Sequence, residues 1–190
     1  MDTAGEEDVD EATRQTQRAM DLARRVNLET RLTRFEIDEA TLTNLRLFTP
    51  TVLSHIDRVV IRFYEYLDRF AEARDILRGH DIDRLRQQQK RHWLRLLAGD
   101  FAGDYVSSTL MIGLAHFHAR VPPHVYIASY SFFMGELLRI ASESSIGYEF
   151  KAISLSVNKV IMLDMSIVLN AYMLDSFAAH TGPDPEGRPA

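Results

Sequence analysis

Cysteine is absent from the 190 residues of this chain. That excludes a disulfide framework, a thiolate metal centre and a cysteine nucleophile. Any metal must therefore be held by His, Asp, Glu, Tyr or Met. A basic excess is also missing: 22 Lys and Arg stand against 27 Asp and Glu, a net charge of -5. A phosphate-binding face usually leaves a positive surplus, so no nucleic-acid partner is expected. No unbroken apolar run is long enough to cross a bilayer. The nearest, AISLSVNKVIMLDMSIVLNAYML, is interrupted by Lys159, Asp164 and two asparagines. The opening, MDTAGEEDVDEATRQ, is acidic and polar, unlike a secretory signal. By elimination we expect a cytoplasmic protein with no membrane segment. Its 46% apolar and 26% charged residues are ordinary for a globular domain with a real core.

The remaining pattern is helical. Strand-like alternation is not sustained anywhere, and no internal repeat is present. The first nine residues are acidic and weakly apolar, and read as disordered. From Asp10 the pattern turns helical, with Met20, Leu22, Ala23 and Val26 on one side and an end near Asn27. Asp38 suits the cap of a helix running to Phe48, and Thr49-Pro50 reads as a capped restart. After it, Val52, Ile56, Val59, Val60, Phe63, Tyr64 and Leu67 share one helical face. Asp81 opens a helix to Ala98-Gly99, and Asp104 opens another that Pro122-Pro123 ends. Two last helices, Tyr126 to Ser142 and Phe150 to Phe177, are split by Ser-Ser-Ile-Gly, and HTGPDPEGRPA is a polar tail. The expected architecture is all-α, with seven or so helices. It divides into an N-terminal extension (1–30), one domain (31–178) and a flexible tail (179–190).

Two of these helices carry polar groups on faces that should point inward. The helix from Asp81 has Gln88, Gln89 and His92 in or beside an apolar stripe of Ile82, Leu85 and Leu96. Buried polar groups need partners or a ligand. The helix from Asp104 ends with His116 and His118, with Ile112 and Gly113 one turn before His116. A haem site asks for an apolar slot, one neutral imidazole aimed at the iron, and an opposite wall that sets access and polarity. His116 suits the imidazole, Gly113 would let its helix approach the ring, and Tyr64 offers a phenol from another inward face. Each has a plainer reading: a satisfied core histidine, a core tyrosine bonded to a carbonyl, and Gln88 and His92 facing water. His116 and His118 diverge on a helix, and no third zinc ligand accompanies them.

The stretch IGLAHFHARVPPHVYIASY resembles the proximal segment of the globin-coupled sensors, a family that includes bacterial haem-based aerotaxis transducers. Ile112, Gly113, His116, Pro123 and Tyr126 match its motif without a gap. Lys90, Arg91, His92, Ala98 and Gly99 resemble a second family segment, and Phe63, Tyr64 and Leu67 a third. The likeness runs from about Leu32 to Phe177. It implies a globin-like fold with an N-terminal helical extension, and haem b bound through His116. It further implies that Tyr64 donates to a bound gas, and that Phe63, Leu85, Gln88, His92, Gly113 and Tyr126 border the cofactor. His118 and Arg120 depart from the family pattern, and an alignment on His-x-Arg would make His118 the ligand instead. The register of Ile112, Pro123 and Tyr126 favours His116.

The reading that results is a non-enzymatic sensor globin that binds O2, with CO and NO as further ligands. The resemblance implies dimerisation through the last two helices. In the last helix Ile153, Val157, Ile161, Val168 and Leu169 exceed what one core-facing stripe requires. Two alternatives carry different consequences: a globin that turns over NO with O2, and a haem-free helical dimerisation module. No kinase, cyclase or methyl-accepting helical pattern follows Phe177.

Overall fold

The computed structural model describes the backbone of residues 3–144 and 148–180, and the side chains of 13–144 and 149–173. Nine helices and no strand occur among the described residues: α1 (Thr3–Ala23), α2 (Leu28–Arg34), α3 (Glu39–Leu53), α4 (Ile56–Leu67), α5 (Ala71–Leu77), α6 (Ile82–Leu97), α7 (Tyr105–His118), α8 (Pro123–Ser144) and α9 (Tyr148–His180). The all-α expectation holds.

Short polar side chains start several of these helices as the sequence suggested. Asp38 accepts from the Thr41 amide and Asp81 from the Arg84 amide, each satisfying a donor that the first turn leaves open. Asn27 also caps, but at the start of α2 rather than the end of α1, because its carboxamide accepts from Thr30. Asp104 precedes α7 without a side-chain cap bond. The helix α1 begins at Thr3, not Asp10.

Thr49-Pro50 does not restart a helix. α3 runs through Pro50 to Leu53, and the restart falls at His55. Leu45, Phe48 and Val52 form one buried stripe across the proline, so packing holds the helix together. The Thr49 hydroxyl reaches the carbonyls of Leu45 and Leu97 instead of capping. Of the Ser-Ser-Ile-Gly break, Ser144 ends α8, while residues 145–147 and the tail from 181 lie outside the described residues, although α9 itself continues to His180.

The helix α9 is the centre of the fold, packed against α3, α6, α7 and α8, while α1 crosses α7. Val157, Val160, Ile161, Leu163, Ile167 and Val168 of α9 are fully buried. By length and composition its stretch Glu149–Met173 would suffice to cross a membrane, but half of that stretch is buried inside the fold, as in the core helix of a globular protein. This corrects the dimer argument from the sequence. Ile153, Val157, Ile161 and Val168 serve the chain's own core, and only Leu169 of the five is half-buried. Among the described residues, the large apolar side chains left exposed on α8 and α9 are Ile127, Leu155 and Met173.

Candidate functional site

The helices α4 to α8 enclose a cavity of about 510 Å³, within the range of roughly 300–1,000 Å³ typical of small-molecule sites. Phe63, Tyr64 and Leu67 of α4, Ala73, Ile76 and Leu77 of α5, and Leu85 and Trp93 of α6 line it. So do Met111, Ile112, Ala115 and His116 of α7, Val121 beyond it, and Val125, Tyr126, Tyr130 and Phe133 of α8. Gln88, His80 and Arg91 are exposed lining residues and mark the mouth. The walls are braced by aromatic packing: Trp93 stacks on Phe133 at 4.3 Å, and Phe63 meets Phe133 at 4.7 Å and Tyr64 at 5.4 Å.

His116 lies on the cavity wall, half-buried, whereas His118 is exposed. Its Nδ1 donates to the Ile112 carbonyl at 2.7 Å. A carbonyl only accepts, so the proton sits on Nδ1 and Nε2 keeps its lone pair. Burial, helped by the charge of His92 and opposed by the Ile112 bond, holds the imidazole below its ordinary pKa, so it stays neutral. A neutral ring with one free, oriented nitrogen is the form a metal requires. No group of three His, Asp or Glu that could hold a bare ion exists among the described residues. A ligand set completed by a macrocycle fits this site, and a protein-only metal centre does not.

Tyr64 is buried on α4 and lines the cavity. Burial pushes its phenol up to about 12, opposed by the Arg86 guanidinium, which lies 5.7 Å from the ring centroid. The hydroxyl therefore keeps its proton. Tyr64 lines the cavity from α4, and His116 lines it from α7. Tyr126 is buried at the same end as His116, its ring edge-on at 4.8 Å and 75°.

Of the eight residues singled out from the sequence, seven border the cavity: Phe63, Tyr64, Leu85, Gln88, His92, His116 and Tyr126. Gly113 does not. A Cβ there would stand 2.7 Å from Ala171 Cβ and 2.8 Å from the Val168 carbonyl oxygen. Its bare α-carbon admits α9, not a cofactor. The face of α7 read as one surface is in fact two neighbouring ridges. Ser108, Ile112 and His116 border the cavity, while Tyr105, Thr109 and Gly113 are buried on the adjoining side.

One residue carries more than its sequence context suggested. Asp164, noted only as a break in an apolar run, is fully buried and takes four donors. They are Tyr130 at 2.5 Å, Tyr105 at 2.7 Å, His92 Nε2 at 3.0 Å and Thr109 at 3.3 Å. Four donors match the capacity of a carboxylate. Burial pushes Asp164 up, but the charge of His92 and these hydrogen bonds hold it below the usual carboxylate range. Burial likewise pushes His92 down, and the charge and hydrogen bond of Asp164 outweigh it and raise the imidazole above its ordinary value. The available signal was a lone acid inside an otherwise apolar helix, which is almost never buried without partners.

Comparison with known proteins places these features in context. The Protoglobin family model matches residues 25–177. The chain is 23% identical over 164 residues to the heme-based aerotactic transducer HemAT of Halobacterium salinarum. That match covers 80% of this chain and 33% of the transducer, so the chain spans about a third of that relative's length. In fold it is similar to the globin domain of the Geobacter sulfurreducens globin-coupled sensor, with a TM-score of 0.73 and 18% identity, over 77% of this chain and 98% of that domain.

Proposed function

Because the chain belongs to the Protoglobin family, we propose that its cavity seats haem b on His116 and that it is a haem-based gas sensor responding to O2, with CO and NO as further ligands. The observation that carries this reading is the neutral, Nε2-free imidazole of His116 on the wall of an aromatic-lined cavity. His116 would hold the iron through Nε2, and haem, when bound, would supply an iron able to take a diatomic gas.

The chain's own residues do the rest. The Ile112 carbonyl fixes the orientation and tautomer of His116. Phe63, Leu67, Leu77 and Leu85 keep water out and favour a flat apolar guest. Tyr64, a protonated phenol, would offer a hydrogen bond that favours a gas gathering negative charge when bound. Gln88 stands at the mouth, within the lining but open to solvent, as a second polar group. The protein acts as a switch rather than an enzyme: a gas that contacts one arrangement of these walls better than another shifts the population toward it. We place the output at α8 and α9, in a cytoplasmic homodimer whose contact includes the exposed Ile127, Leu155 and Met173.

Titration of the purified chain with haem tests this reading. A sharp Soret band that saturates at about one haem per chain is expected. A broad, non-saturating absorbance would mean that the cavity serves another guest.

A further inference from the structure

The helix α9 lends no described side chain to the cavity wall, yet its Asp164 bonds His92 directly and leads through two tyrosines to His116. One carboxylate oxygen accepts from Tyr105 and Thr109 of α7, and the other from His92 of α6 and Tyr130 of α8. A single group thus joins four helices, three of which wall the cavity. The bonds have a direction. Tyr130 spends its proton on the carboxylate, so in the Tyr126–Tyr130 pair, 3.0 Å apart, it is Tyr126 that donates. The Tyr126 ring in turn stands edge-on to His116. Burying a carboxylate is costly, and apolar groups of similar shape would fill the same volume without that cost. What Asp164 supplies is geometry.

We propose that Asp164 is a positioning residue, which fixes His92 directly and the plane of the His116 ring through Tyr130 and Tyr126, and so ties both to α9. The link to His116 rests on the haem reading above, whereas the link to His92 does not.

The test compares the full chain with Tyr130→Phe, Asp164→Asn and the double variant. In the ferrous haem-bound protein the iron–imidazole stretching band reports the His116 ring. Loss of the Tyr126–Tyr130 bond frees that ring to turn and weakens its Nδ1 bond to Ile112. Tyr130→Phe is therefore expected to lower and broaden the band. Asp164→Asn should do the same, and the double variant should go no further than the larger single shift, because both act along one chain of contacts. A band unmoved by Tyr130→Phe, or two shifts that add, overturns the route to His116. Tyr130→Phe removes one hydroxyl and keeps the His92–Asp164 bond, so it decides this point even if Asp164→Asn does not fold. The ring nitrogen resonances of His92, read in the haem-free chain, decide the other arm. They should move far more in Asp164→Asn than in Tyr130→Phe, which keeps the bond and removes only the second donor to the same oxygen, and the reverse overturns it. A chain that takes up no haem has no band, which defeats the haem reading while the His92 resonances still test Asp164.

Discussion

Tyr64 shows how little a binding site needs from one side chain once the surroundings are set. Its phenol is protonated at neutral pH and burial pushes it further up, to about 12, while the side chain lines the cavity; under the proposed function that proton is the donor to a guest. Bound O2 carries more negative charge than bound CO, so it gains more from such a donor. Removing the hydroxyl by Tyr64→Phe is expected to speed O2 release while leaving CO release nearly unchanged. A hydrogen bond to a charged group contributes about 1.5–3 kcal/mol, so the O2 off-rate should rise roughly tenfold to a hundredfold. Stopped-flow measurement of both gases checks this, and equal effects on the two would assign the donor to another residue. Helical spacing placed Tyr64 on an inward apolar stripe, whereas His116 was singled out chiefly through the family likeness, its face being only partly apolar. Asp164 was not, since its meaning depends on Tyr105 and Tyr130 arriving from two other helices. The role of Gly113 was misread for a related reason: spacing says which residues share a face but not what that face meets.

Helix packing makes the same point with larger units. α7 and α9 meet closely because Gly113 has no Cβ to hold them apart. Gly113→Ala would press against the Val168 carbonyl, which is backbone and cannot turn aside. Overpacking costs about 1–3 kcal/mol and the gain in helix propensity returns about 1, so a net loss of up to about 2 kcal/mol is expected. Gly135 in α8 is the matched control, with nothing within 4 Å of an added Cβ. Gly135→Ala should stabilise by up to about 1 kcal/mol. Thermal or denaturant melts of the two variants should therefore move in opposite directions, and a Gly113→Ala protein as stable as its parent would show that α9 can step back freely. Helix starts at Asp38 and Asp81 were readable because capping is local. The continuation of α3 through Pro50 was not, because the stripe that holds it is satisfied only by distant partners. α5 escaped notice because seven residues carry too little periodicity to stand out.

For the molecule as a whole, the open matter is what covers the apolar side chains that the core leaves out. Ile127, Leu155 and Met173 stand open on α8 and α9, and Leu47 and Leu53 on α3. A homodimer through α8 and α9 would cover the first three in an isologous contact. Sedimentation at low micromolar concentration should give a dimer that Leu155→Glu together with Met173→Glu converts to a monomer. A monomeric parent protein would remove that interface. The all-α architecture was plain from the sequence because helical periodicity runs through most of the chain. The cavity could be anticipated only through the family likeness, since no local pattern encodes empty space. The central claim concerns that cavity and the single imidazole on its wall, and haem uptake by His116→Ala compared with His118→Ala tests it most directly. The account predicts that His116→Ala loses the Soret band or keeps a weak, poorly ligated one, while His118→Ala, altered at an exposed residue, binds as the parent does. A normal spectrum in His116→Ala, with the loss falling on His118→Ala, would contradict it.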